Sequence, residues 1–375
     1  MKAVVHHTGR LVPVILVLGA LGLGASYGIA ARSNPRIATI PTSFAQVSSA
    51  IAPMSIAVFP PEIDAAKVQG AEACGECHAP ELKAWKQSKH FATWTTMHRK
   101  PRAREIANAL EIKGGIKRND LCVNCHYTAQ IVDEKPKPVS GVSCESCHGA
   151  AADWINVHND YGADQTKQTE SAEHREMRLK AVDASGMLRP ANVYLVARNC
   201  YSCHSVPNEK LVNVGGHPAG SDFELVSWSQ GEVRHNYFQN PEEGNREASV
   251  ERKRVLYVVG AITDLEYALR GMSKITERGA YRDAMIKRKK SAVKRIDEIL
   301  SRVSLPEIQR LMSSLERDEN GLVKIDRALL NELPDQLAAL SEQFVNTHDG
   351  SNLGPRPGLD ALIPGPEKYH GTAQP

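Results

Sequence analysis

The sequence predicts a mostly α-helical protein, in which a cofactor-bearing helical domain is followed by a C-terminal helical extension. Three observations carry that expectation. Four copies of the pattern C-x-x-C-H lie between residues 70 and 240 and use all 8 cysteines. Beyond Pro241 the chain changes to long charged stretches whose apolar residues recur at helical spacing. Aromatic residues make up only 5% of the 375, so the chain itself supplies few of the large flat apolar groups that fill a core.

The elements follow in chain order. Lys2 and Arg10 precede an uncharged run from Leu11 to Ala31, and a charged start followed by an apolar segment marks an exported chain. The run has the roughly 20 residues needed to span a bilayer. It also offers Gly28-Ile29-Ala30 as a small-residue cleavage site. Residues 1–31 are therefore a signal peptide or an N-terminal membrane anchor, and the rest is expected on the periplasmic side of a bacterial inner membrane. Residues 32–69 carry Pro35, Pro41, Pro53, Pro60 and Pro61 among Ala, Ser and Thr, and read as an extended linker.

Residues 70–240 hold the motifs: Cys74-Cys77-His78, Cys122-Cys125-His126, Cys144-Cys147-His148 and Cys200-Cys203-His204. An exported chain with eight cysteines invites a disulfide reading, but histidine follows every second cysteine. At roughly 4% histidine per position, four such coincidences would arise about once in a million chains. Two cysteines spaced this way form thioethers to one haem while the adjacent histidine reaches its iron, so the motifs imply four covalently bound haem c groups. Zinc and thioredoxin-like readings both fail to require the four histidines. The motifs are separated by 43, 17 and 51 residues, and the short middle gap predicts that the second and third haems are neighbours. Within this domain Pro80 opens a helix whose apolar residues run from Leu82 to Met97, and a second helix is expected from Arg102 to Gly114.

Residues 241–347 read as helices over Ala248–Ile275, Tyr281–Val303, Pro306–Arg317 and Pro334–Thr347. In the first of them Val255, Leu256, Val258, Val259, Ile262, Leu265, Leu269 and Met272 make a wide apolar face that must pack on the haem domain or on neighbouring helices. The run Lys287, Arg288, Lys289, Lys290, Lys294 and Arg295 reads as a solvated helix face or as a docking site for an acidic redox partner. Residues 348–375, rich in Gly and Pro, are expected to be irregular. A net charge of +3, with 42% hydrophobic and 24% charged residues, gives no reason to expect nucleic acid as a partner.

The histidines outside the motifs decide the chemistry, because an iron with two histidine ligands transfers electrons whereas an open position binds a small molecule. His90, in Trp85-x-x-Ser-x-His90, lies on a predicted helix after the first motif. His158 follows Trp154 by one helical turn. His217 stands in Gly215-Gly216-His217-Pro218, where the glycines allow close backbone approach and the proline holds the histidine extended. His235 precedes Asn236-Tyr237-Phe238. These four are the distal candidates, with His98 next and His174 after it; His348 and His370 fall in the late tail, and His6 and His7 precede the export segment. One open iron stays a live alternative at this point.

Cys74-Gly-Glu-Cys77-His78 with Trp85-Lys-Gln-Ser88-Lys-His90, and Gly141-Val-Ser-Cys144-Glu-Ser-Cys147-His148-Gly149, resemble the cytochrome c-554 family of multihaem cytochromes. The resemblance covers residues 70–240. It implies a mostly helical multihaem cytochrome c domain with haems packed in close pairs, passing electrons between periplasmic or membrane-bound redox proteins. It also implies that a haem without a distal ligand, where one exists, is that of Cys122, Cys125 and His126. The competing expectation is an enzyme acting on nitrite, hydroxylamine, nitric oxide or a sulfur compound at that iron.

Overall fold

A computed structural model describes residues 63–220, 222–239, 244–354 and 358–375. The export segment and residues 32–62 of the linker lie outside the described residues. Among the described residues no helix is long and apolar enough to cross a membrane. Residues 67–70 are built into the fold: Val68 is buried, and the carbonyl of Lys67 accepts the Ala152 N–H at 2.9 Å.

The chain is mostly helical. Helix α1 (Ala71–Gly75) leads through the first motif to α2 (Ala79–Trp85), which has Pro80 in its first turn. The periodic stretch from Leu82 to Met97 forms two helices rather than one. Ser88 adopts extended backbone and its Oγ accepts the Phe91 N–H at 3.2 Å, which starts α3 (Lys89–Thr96) afresh. Helix α4 (Pro101–Ala109) stops short of Gly114, because Glu111 takes a φ of 56° and Ile112 N–H returns to the Ala107 carbonyl. After α5 (Asp120–His126) comes an antiparallel hairpin, β1 (Thr128–Val132) and β2 (Lys135–Ser140), turning on Asp133 and Glu134 with φ of 51° and 63°. Then follow α6 (Cys144–His148), α7 (Ala172–Ala184), α8 (Val193–His204), α9 (Glu209–Asn213) and α10 (Leu225–Ser229).

The extension consists of α11 (Val250–Met272), α12 (Ala280–Leu300), α13 (Pro306–Ser314) and α14 (Arg327–Thr347). Helix α14 begins before Pro334, at an Asp326 cap that accepts the Leu329 N–H at 2.9 Å, and carries the proline inside. The apolar face of α11 finds its partners in α8, α12 and α14. All of its apolar residues named above are buried except the half-buried Met272. Gly260 permits the approach of α10, since a methyl there would lie 2.9 Å from the Leu225 side chain. The tail is irregular but held: Asp360 takes a bidentate bond from Arg254 at 2.7 and 2.8 Å, and the His370 ring stacks on Trp228 at 3.6 Å.

Candidate functional site

Each motif contributes at least one cysteine to a helical turn, where residues three apart share a face and the next residue follows at the helix end. Local caps fix those turns. Asn119 accepts the Leu121 N–H to start α5, and Ser143 with Ser146 forms a reciprocal capping box on α6. The fourth motif closes α8, whose Ala197 and Tyr201 are fully buried.

The motifs are tied to one another by polar contacts that the sequence pattern does not reveal. Glu145, fully buried inside the third motif, accepts N–H groups from Gln69, Gly70 and Ala151 at 2.8–2.9 Å, which binds it to the entry of the first motif. Thr93 Oγ1 donates to the carbonyl of His126 at 2.8 Å or to that of His90 at 2.7 Å. Asn199 donates to the Ser146 carbonyl at 3.1 Å, joining the fourth motif to the third. Among the cysteines, Cys74 meets Cys144, and Cys125 meets Cys203. Cys147 lies within electrostatic reach of Cys200 and Cys203. The 17-residue gap does bring Thr128 to 2.7 Å from Ser146, yet the cysteines that touch belong to motifs one and three and to motifs two and four.

The four motif histidines each face one distal candidate. Ring centroids are 6.4 Å apart for His78 and His158, and 6.2 Å for His90 and His204, for His126 and His217, and for His148 and His235. A metal gripped from both sides by imidazoles sets centroids about 6 Å apart, twice the sum of a bond of about 2 Å and about 1 Å from nitrogen to ring centre. The residues present therefore fit a haem iron in each pair. Four of these rings are held by carbonyl oxygens at Nδ1: His148 by Leu188 at 3.0 Å, His158 by Ile155 at 2.6 Å, His217 by Pro218 at 2.9 Å and His235 by Val233 at 2.6 Å. Donation from Nδ1 leaves Nε2 free to ligate. Burial holds His126 and His148 down at about 4 and His204 at about 3, so the rings are neutral, as ligands must be.

The remaining histidines have other company. His174 bonds Glu170 at 2.8 Å, His348 bonds Glu307 at 2.9 Å and His370 stacks on Trp228. His98 has a buried Nδ1 with no partner. The basic run on α12 is divided: Lys287, Lys290 and Lys294 are exposed, while Arg288 is buried against Asp264 at 2.6 Å and Lys289 bonds the Val323 carbonyl at 2.8 Å.

Helical turns carrying C-x-x-C-H, with imidazoles facing each other across the space of a metal, define a multihaem c-type cytochrome. Residues 73–149 match the family model described as cytochrome c554 and c-prime. Over 151 residues the chain is 26% identical to cytochrome c-554 of Nitrosomonas europaea, a match covering 37% of this chain and 58% of that protein. No solved structure matches the chain at a significant level.

Proposed function

We propose that the chain holds four covalent haem c groups and works as an electron carrier on the periplasmic side of the membrane, serving redox proteins there or in the membrane. The observation that carries this reading is the common spacing of 6.2–6.4 Å in four histidine pairs. In it Cys74 and Cys77, Cys122 and Cys125, Cys144 and Cys147, and Cys200 and Cys203 form the thioethers. The irons would be held by His78 with His158, His90 with His204, His126 with His217, and His148 with His235. A haem iron so held supplies one-electron chemistry between its ferric and ferrous states. The chain's part would be to fix four of the eight imidazoles through their Nδ1 bonds and to keep the irons saturated, which excludes small molecules.

Cysteine proximity supports an order of transfer. The first motif neighbours the third, the third the fourth, and the fourth the second. Electrons would then run along that line rather than in sequence order. His217 opposite His126 weighs against an open iron at the second motif, and hence against turnover of nitrite, hydroxylamine or nitric oxide there. The test is electron paramagnetic resonance of the oxidised holoprotein, which should show low-spin haem alone. His217→Ala should convert one haem of the four to high spin, able to bind cyanide, with covalent haem content unchanged. A high-spin signal in the unaltered protein, or none in the variant, would overturn the assignment.

A further inference from the structure

A cavity of about 330 Å³ opens beside the second motif. Its floor is apolar, formed by Ala103, Ala107 and Ile116, and these side chains pack in one cluster with Cys122 and Val123. Its rim is cationic, formed by Arg104, Lys117 and Arg118 with His98 between α3 and α4. Lys117 is fixed rather than free to swing, its ammonium 3.4 Å from the centroid of the Trp94 ring. Gly114 and Gly115, both with φ of +84°, make the lip of the cavity, and a methyl on Gly115 would meet nothing within 4 Å.

What the rim lacks is a counter-charge. Among the described residues no carboxylate lies within ion-pair distance of Arg99, Arg104, Lys117 or Arg118. Glu105, next to Arg104, is taken by Arg102 at 3.0 Å. Burial, together with the charges of Lys117, Arg99 and Arg104, pushes His98 down. Its Nδ1 is buried without a hydrogen-bond partner. Cations gathered around a recess without an acid repel one another. An anion in the recess relieves that repulsion. A flat docking face would spread its cations over a convex surface, whereas Arg104, Lys117 and Arg118 all line a concavity of small-molecule size.

We propose that this recess is a binding site for a small inorganic oxyanion, held by Arg104, Lys117 and Arg118. Bound there, one layer of side chains behind Cys122, the anion favours the oxidised form of a haem at the second motif; that consequence, unlike the binding, rests on the four-haem reading. The experiment titrates phosphate and sulfate into the holoprotein by calorimetry, at ionic strength held constant with chloride and with haem content first confirmed by intact mass. One saturable site is expected, weakened about tenfold by Arg104→Gln and by Lys117→Gln, each of which removes a charge-assisted hydrogen bond, and unmoved by Lys290→Gln. A redox titration should show the midpoint of one haem falling when phosphate is added. Heats no larger than the chloride control, or equal binding in both rim variants, would overturn the site. Binding that leaves every midpoint in place would overturn its link to the second motif.

Discussion

An imidazole that is to ligate a metal has to be held in one orientation, and around His158, a proposed ligand, the hold reaches two residues deep. Its Nδ1 bonds the Ile155 carbonyl at 2.6 Å, while its own carbonyl accepts from Arg178 at 2.6 Å. Arg178 is in turn clamped by Glu170, with bonds of 2.7 and 2.6 Å to the two carboxylate oxygens. Only 1% of the Glu170 side chain is exposed. The hydrogen bond from Arg178 comes first, with His174 adding to it, in holding the carboxyl at about 2 against its usual 4.5. A carboxylate depressed in the folded state contributes stability that is full above its ordinary pKa and lost as pH falls through the folded one. The window therefore runs from about pH 4.5 down to about 2. Glu170→Gln should be less stable than the parent at neutral pH, and the gap between their thermal midpoints should close across that window. Parallel melting curves from pH 5 to pH 2 would remove the clamp from the account.

At the level of elements, the hairpin end at Gly141 sets where α3 can lie. A methyl there would run into the His90 carbonyl, and it would also stand 2.6 Å from Thr93 Oγ1 and 2.8 Å from the Phe91 carbonyl. Two of those three atoms are backbone and cannot turn aside. Gly141→Ala should therefore displace the turn that carries His90, destabilising the holoprotein by about 1–3 kcal/mol in chemical denaturation; a change near zero would mean that α3 is free to shift. Neither the hairpin nor this contact was legible in the sequence, because Lys135-Pro-Lys-Pro breaks the alternation that marks a strand and a glycine's neighbours are known only after folding. The C-x-x-C-H motifs were legible, since their signal is local spacing. So were all four facing histidines, though not which motif each would face: His90 lies 12 residues after the first motif but faces His204 of the fourth. Helix ends were read less well where a cap intervened, as at Ser88 and Asp326. Glu145 left no trace, because an acidic residue between two cysteines looks like any solvated one until its three N–H partners arrive from residues 69, 70 and 151.

Across the whole molecule the packing is uneven, and the unevenness tells what haem attachment has to supply. The largest fully buried side chains among the described residues, from Tyr194 and Tyr201 to Tyr267, Tyr281, Met285 and Phe344, all lie at or beyond residue 194. Before that point the buried apolar set is mainly small, with Val68, Ala71, Ala84, Ala103, Ala107 and Val123 among its members. Helices there are short, at 5, 7, 8 and 9 residues for α1 to α4, well under the roughly 12–15 residues at which a helix is even marginal alone. By contrast α11, α12 and α14 have 23, 21 and 21 residues, and α12 and α14 both pack on α11. Haem loss should then act on the two parts differently. In chain produced without haem attachment, amides of residues 70–190 should exchange with deuterium at the rate of unfolded chain, while those of α11 and α12 keep measurable protection. In the holoprotein both sets should be protected. Fast exchange throughout the haem-free chain would show that the extension depends on the haem domain for its own fold; protection throughout would show that residues 70–190 carry a core of their own after all.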